Sequence, residues 1–200
     1  MTEMRIDLLR HGETVGGSRY RGSRDDALTA EGWEQMRRAL GDDRPWTRIA
    51  SSSLIRCCAF AEDLAQRLSL PIEVDDRLCE IHFGDWEGKT AEELLATDRE
   101  RITRFWEDPE SHPPPGGEAL TMFRNRVLEA WQQLTACYTG ENLLVVTHGG
   151  PIRVILGHVL GLSRAATLQL EVPHAYRRRL RLPGDGGYAA DGNTFRNGER

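Results

Sequence analysis

The chain has few cysteines, four in 200 residues, and no two of them form a Cys-x-x-Cys pair. That argues against a disulfide framework and against a structural zinc site. Cys57 and Cys58 are neighbours in a predicted helix, and Cys79 and Cys137 stand alone, so buried, inert thiols are expected. No apolar run is long enough to cross a bilayer, and the start of the chain lacks the apolar stretch of a signal peptide. An excess of positive charge is missing too: 26 basic side chains stand against 31 acidic ones, a net charge of -5. That argues against a general binder of nucleic acid or of membrane surfaces, and with neither a signal peptide nor a bilayer span in view a cytoplasmic location is expected. There is no internal repeat and no obvious linker. Two hundred residues, 39% hydrophobic and 28% charged, suit one domain with a full core.

What is present alternates short apolar strands with amphipathic helices. Strands are predicted at Arg5 to Leu9, Arg48 to Ser51, Ile72 to Val74 and Leu143 to Val146. Helices are predicted from Thr29 to Leu40, with Thr29 as N-cap, and from Ser53 to Leu68, where Leu54, Cys58, Ala61, Ala65 and Leu68 share a face. Thr90-x-x-Glu93 is a capping box, and Arg99 to Trp106 is a further short helix. After the Pro113 to Gly117 loop, Leu120, Phe123, Val127, Trp131 and Leu134 mark another helical face. Pro151 suits the first turn of the next helix. Leu168 to Val172 and Ala175 to Leu182 read as late strands, with Arg177, Arg179 and Arg181 on a solvated edge face. The pattern calls for a three-layer α/β/α domain with a mostly parallel central sheet over residues 1 to 182. Residues 183 to 200, rich in Gly, Asn and Asp, are expected to be a mobile tail.

Two strands end alike. The first runs into Arg10-His11-Gly12, and the strand through Val146-Thr147 runs into His148-Gly149-Gly150. Open α/β sheets place their sites at the carboxyl ends of strands, so neighbouring strands would bring both histidines to one pocket. From the residues alone, each could instead be a core or capping histidine. Both could be metal ligands, although neither motif carries a carboxylate or thiol at ligand spacing.

Four motifs in this order, LLRHGET, SSSLIRCCAFAEDL, LCEIHFGDWEG and VVTHGGPIR, resemble the histidine phosphatase superfamily. This phosphoglycerate mutase-like group works through a phosphohistidine, and the resemblance spans residues 4 to 182. It implies that His11 is the nucleophile, with one ring nitrogen neutral and the other held by an acceptor. It assigns Arg10, Arg56 and His148 to the phosphoryl group, whose charge planar guanidiniums suit. Gly149 and Gly150 would leave the phosphate a clear approach. Glu80 is matched to the group that protonates the leaving oxygen and later deprotonates water, with Asp85 and Glu87 of the same element as competitors. No metal and no cofactor are implied, because arginines and histidines supply the positive charge.

The chain also departs from the family pattern. Ser53 stands where Pro is commonest, Phe60 where Thr is common, and Gly17 where many members carry a phosphate-binding Asn. Arg21 or Ser23 of the Gly16 to Asp26 loop is expected to take over that last contact. This loop and the segment Phe83 to Glu118 should roof the pocket. The second segment holds Phe83, Trp86, Phe105, Trp106 and His112, which are expected to be mostly core. The loops resemble most the alpha-ribazole phosphatase group, which dephosphorylates a ribonucleotide-like precursor in cobalamin nucleotide-loop assembly. The expected partner is thus a small phosphomonoester, not nucleic acid or membrane. The alternatives are a broad-specificity metabolite phosphatase, a phosphoglycerate mutase, whose long insertions are missing here, and a binding module with a dead pocket.

Overall fold

Strand β1 (Met4–Arg10) lies inside a mixed sheet in the computed structural model, which describes residues 3–182 and 189–190. The chain continues through α1 (Ala30–Leu40), β2 (Arg48–Ser51), α2 (Ile55–Leu68), β3 (Ile72–Val74), α3 (Ala91–Thr97), α4 (Arg99–Glu107) and α5 (Leu120–Cys137). It ends with β4 (Asn142–Thr147), α6 (Gly149–Val159), α7 (Arg164–Leu168), β5 (Arg177–Leu182) and β6 (Ala189–Ala190). Among the described residues the strand order is β3-β2-β4-β1-β5-β6. The first four are mutually parallel, and β5 and β6 are antiparallel additions.

The side-chain alternation of the strands builds two cores, one on each face of the sheet. Ile6, Leu8, Leu143, Val145 and Ala50 pack against Phe123, Val127 and Trp131 of α5 and Ile152 and Ile155 of α6. Leu9, Leu144, Val146 and Ile49 face the other way, onto Met36 and Leu40 of α1 and Phe60, Ala61 and Leu64 of α2. The result is a three-layer α/β/α domain. β4 is apolar without alternation because both its faces are covered. A third, smaller cluster of Trp86, Leu94 and Ile102 joins α3 and α4 to the loops, with Tyr20, Phe83 and Phe105 packed against it.

Local signals are read as expected at the helix starts. Thr29 caps α1 by accepting from Gly32 N–H, and the Thr90–Glu93 capping box is complete. Three expectations fail. Leu168 to Val172 is not a strand: α7 ends at Leu168 and the following residues have no ladder partner. Leu170 and Val172 are buried in the α5–α6 core, so the alternation there reflects one-sided burial without sheet pairing. Only Cys57 of the four cysteines is buried, and Cys137 is exposed. The expected tail lies outside the described residues, apart from Ala189–Ala190.

The third failure is the arginine face of β5, which is an ion-pair clamp and not a solvated edge. β5 pairs with β1 in a register that sets Arg179 opposite Asp7 and Arg177 opposite Leu9. The Asp7 carboxylate is 2% exposed and accepts from Arg177 Nη2 (2.6 Å), Arg179 Nε (2.9 Å) and Trp46 Nε1 (2.9 Å). Burial pushes the Asp7 carboxyl up, but the hydrogen bonds from Arg179 and Arg177 outweigh it and hold the group below the usual carboxylate range. A depressed folded value means the stabilisation is complete above pH about 4, the unfolded value, and is lost as pH falls through the lower folded one. Asp7→Asn is therefore expected to cost about 3 kcal/mol at neutral pH, since two cations lose their buried partner. Denaturant titrations should show this deficit shrinking as pH falls below about 4. A deficit that does not change with pH would assign the loss to packing.

Candidate active site

β1 and β4 are adjacent and end level, with Arg10 paired to Thr147. His11 and His148 follow immediately, and their ring centroids lie 5.2 Å apart, edge to face. His11 is buried, and its Nδ1 stands 2.8 Å from the Gly12 carbonyl. A carbonyl only accepts, so Nδ1 carries the proton and Nε2 keeps a free lone pair. His148 takes the opposite tautomer. Arg56 Nε donates to its Nδ1 (3.2 Å), which leaves Nε2 protonated against Ser52 Oγ (2.7 Å). Burial first, then the nearby Arg10 and Arg56 charges, push His11 well below the ordinary histidine range. His148 is pushed the same way by burial, Arg56, His11 and Arg10. Both rings are neutral at pH 7, and a neutral imidazole with one free nitrogen is a competent nucleophile.

The cations around them have no ion-pair partner among the described residues, although the Glu80 charge acts on Arg10 from farther off. Arg56 is fully buried at the start of α2, and its terminal nitrogens donate to the carbonyls of Arg24 (2.7 Å), Gly22 (2.8 Å) and Arg21 (3.3 Å). Arg10 Nη1 donates to the Val172 carbonyl (2.6 Å), while its buried Nε has no protein partner. Neither guanidinium has a carboxylate within ion-pair distance among the described residues. Burying positive charge without a partner is costly, so a pocket built this way is a receptor for an anion.

Glu80 stands beside α6. Its Oε2 accepts from Gly150 N–H (2.9 Å) and its Oε1 from Ile81 N–H (2.9 Å). A methyl group at Gly150 would lie 2.0 Å from Glu80 Oε1 and 2.9 Å from Phe123. Gly150 thus admits the carboxylate, whereas the sequence reading had it clearing space for phosphate. At Gly149 an added methyl would only touch Arg153 (3.4 Å) and Arg10 (3.6 Å). Sequence reasoning missed what holds Glu80. Arg126 of α5 donates to the carbonyls of Arg77, Cys79 and Glu80 and pairs with Glu118 at 2.7 Å. An arginine inside an otherwise amphipathic helix offers no local sign of that work.

The competing carboxylates have other places. Glu87 accepts from the backbone N–H groups of Gly22, Ser23, Arg24 and Phe83, so it ties the glycine-rich loop to the Phe83–Trp86 element. Asp85 is exposed. Arg21 braces its own loop, pairing with Asp26 (2.7 Å) and donating to the carbonyls of Val15 and Gly17. Ser23 is exposed, and its backbone N–H is the group bound by Glu87. Two residues near the site were not singled out from the sequence. His174 lies 5.7 Å from His11 ring to ring, and Arg153 donates to the Leu170 carbonyl (2.8 Å) beside Gly149.

A cavity of about 830 Å³ opens from Glu80 and Gly150 and runs between α4, α5, α6 and α7. Its walls are Tyr20, Phe83, Phe105, Trp106, Leu120 and Phe123, with Arg153 and Arg124 among them. The aromatic segment is therefore divided. Trp86 is core, Phe83 and Phe105 serve both core and cavity, Trp106 is 48% exposed, and His112 is exposed elsewhere. Among the described residues no three His, Cys, Asp or Glu side chains are grouped to hold a metal ion, and no helix is long and apolar enough to cross a membrane.

Residues 6–193 match the family model of the histidine phosphatase superfamily (branch 1). A bifunctional protein of Mycobacterium tuberculosis is 38% identical over 160 residues, 78% of this chain and 44% of that protein. The chain thus spans less than half the length of that relative. The adenosylcobalamin/alpha-ribazole phosphatase of Escherichia coli K12 is 29% identical over 173 residues, 84% of this chain and 85% of the relative. The solved structure of a mycobacterial glucosyl-3-phosphoglycerate phosphatase matches with a TM-score of 0.80 at 29% identity, covering 94% of this chain and 97% of that one.

Proposed function

The chain belongs to the histidine phosphatase superfamily, branch 1, and from that premise we propose that it is a phosphomonoesterase working through a phosphohistidine on His11. The observation that carries the reading is the neutral His11 ring, oriented by the Gly12 carbonyl, next to the buried Arg56 and half-buried Arg10 guanidiniums, neither of which has a carboxylate within ion-pair distance among the described residues. The substrate phosphoryl group takes the missing negative charge. Arg10, Arg56 and His148 hold its oxygens, with Gly149 at the mouth and Arg21 and Ser23 on the loop above. His11 Nε2 attacks phosphorus, the P–O ester bond breaks, and Glu80 gives its proton to the leaving oxygen. Water then attacks the phosphohistidine, Glu80 takes back a proton, and inorganic phosphate departs. No charge has to be brought in from solution, because the arginines are fixed before the substrate arrives.

For the substrate we propose alpha-ribazole 5'-phosphate. The Escherichia coli relative supports this by its name, and the cavity supports it by its aromatic and aliphatic walls beside Glu80. The mycobacterial neighbour favours a second reading, a sugar-linked phosphoglycerate, for which Arg153 and Arg124 offer cations within the same cavity. Specificity constants separate the two. Alpha-ribazole 5'-phosphate should exceed glucosyl-3-phosphoglycerate and 3-phosphoglycerate by roughly a hundredfold or more, the scale of a few extra contacts. Trp106→Ala should lower both kcat and affinity for the ring-bearing substrate, because remote binding energy positions the phosphate. A flat profile across the three substrates would leave a general phosphatase, and a reversed one the second reading.

A further inference from the structure

The chain between α7 and β5 is tied to the end of β1 at three points. The Val172 carbonyl accepts from Arg10 Nη1 (2.6 Å), the Tyr176 carbonyl accepts from Arg10 N–H (2.9 Å), and Ala175 N–H donates to the His11 carbonyl (3.1 Å). His174 stands between these ties. Its ring is 5.7 Å from the His11 ring, tilted by 45°. Next to it Ala175 has φ +55°, a left-handed backbone shared among the described non-glycine residues only with Ser69. A residue bearing a side chain adopts that conformation at a cost, and it persists where the surroundings impose it. Here the three ties impose it, and the turn sets His174 against the nucleophile.

His174 is exposed at the mouth of the pocket, and neither ring nitrogen is hydrogen-bonded to protein among the described residues. The charged groups that act on it are Arg10 and Arg21, opposed by Glu13, with His11 alongside. Desolvation first, then Arg10, hold its ring below the ordinary histidine range. A dianion beside Arg10 would reverse that field and favour the imidazolium, a stronger donor.

We propose that His174 is a further phosphate-binding residue, which donates a ring N–H to an oxygen of the phosphoryl group on or beside His11 Nε2. The proposal rests on the phosphatase reading of the site. It adds a hydrogen bond only; the bonds to phosphorus change as already described.

Two substitutions separate this contact from ring packing. His174→Phe keeps the ring against His11 and removes the donor. His174→Gln keeps a neutral donor and removes the ring. The probe is sulfate, a dianion whose charge is constant from pH about 6 to about 8, followed by calorimetry alongside kcat and KM for an aryl phosphate. His174→Phe should weaken sulfate roughly tenfold or more, raise KM in parallel and lose part of the tightening seen as pH falls, the scale of one charge-assisted hydrogen bond. His174→Gln should recover most of the affinity at pH about 8 but not the tightening at low pH. Circular dichroism should show both variants folded, as suits a side chain at the pocket mouth. His174→Phe matching the wild type in affinity and pH dependence would overturn the proposal. So would equal losses for Phe and Gln at pH about 8. A wild-type protein that shows the His174-dependent sulfate affinity yet hydrolyses no phosphomonoester would remove the phosphatase reading and leave the anion contact standing.

Discussion

His11→Ala is expected to abolish turnover while leaving the protein folded. Loss of a covalent nucleophile costs on the order of a million-fold in kcat where it has been isolated in other enzymes. The ring makes one side-chain hydrogen bond, to the Gly12 carbonyl of its own loop, so stability should fall by no more than about 2 kcal/mol. Labelled substrate, quenched rapidly under alkaline denaturing conditions, should leave phosphate on His11 of the wild type and none on the variant. Label that persists on the variant would move the nucleophile elsewhere. The pH profile follows from the same geometry. Burial, Arg10 and Arg56 keep the free-enzyme imidazole neutral well below its ordinary range. The acid limb of kcat/KM due to His11 should therefore lie well below the ordinary histidine value of about 6.5.

Glu80→Gln is expected to separate substrates by their leaving groups. An alkoxide leaves badly unless it is protonated as the P–O bond breaks, so alkyl phosphates should lose about a hundred- to ten-thousand-fold, the range for general acid catalysis. A nitrophenolate needs no proton, and phosphoryl transfer from its ester should stay within about tenfold of the wild type. The second half-reaction still lacks its base, so the variant should show a burst of nitrophenol equal to the enzyme present, followed by slow turnover. The Gln side chain keeps one oxygen to accept from Gly150 or Ile81 N–H, which preserves much of the local structure. Equal losses on aryl and alkyl phosphates would instead make Glu80 a residue that positions α6 through Gly150.

Much of this protein is legible one residue at a time. Short apolar runs placed β1, β2, β3 and β4, the Thr29 cap placed α1, and period-three-and-four spacing placed α2 and α5, because each signal is a local consequence of which groups meet water. The capping box at Thr90 and Glu93 is likewise complete within four residues. The same logic misread Leu168 to Val172, where the alternation is real but the buried face belongs to an unpaired segment. It misread Arg177 and Arg179 as solvated, because their partner Asp7 is 170 and 172 residues away.

The site divides along the same line. Arg10 with His11, and His148 with Gly149, are contiguous, and a strand that runs straight into His-Gly announces a strand-end site by itself. That these two ends lie level depends on the parallel pairing of β1 with β4, a contact across more than 130 residues that local pattern does not specify. The partners of each carboxylate were decided only in three dimensions. Glu80 and Glu87 are seven residues apart in one motif, yet one meets Gly150 N–H and the other is consumed by four backbone donors of two loops. His174 and Arg126 carried no sequence signal, because each works through carbonyls or rings distant along the chain. Residue order alone thus settled most of the elements, the strand-end motifs and the family resemblance, since these are encoded in short-range periodicity and contiguous residues. The tertiary structure decided the charge balance of the pocket, the partners of Glu80 and Asp7 and the walls of the cavity, because each depends on which distant backbone groups the fold brings within about 3 Å of one another.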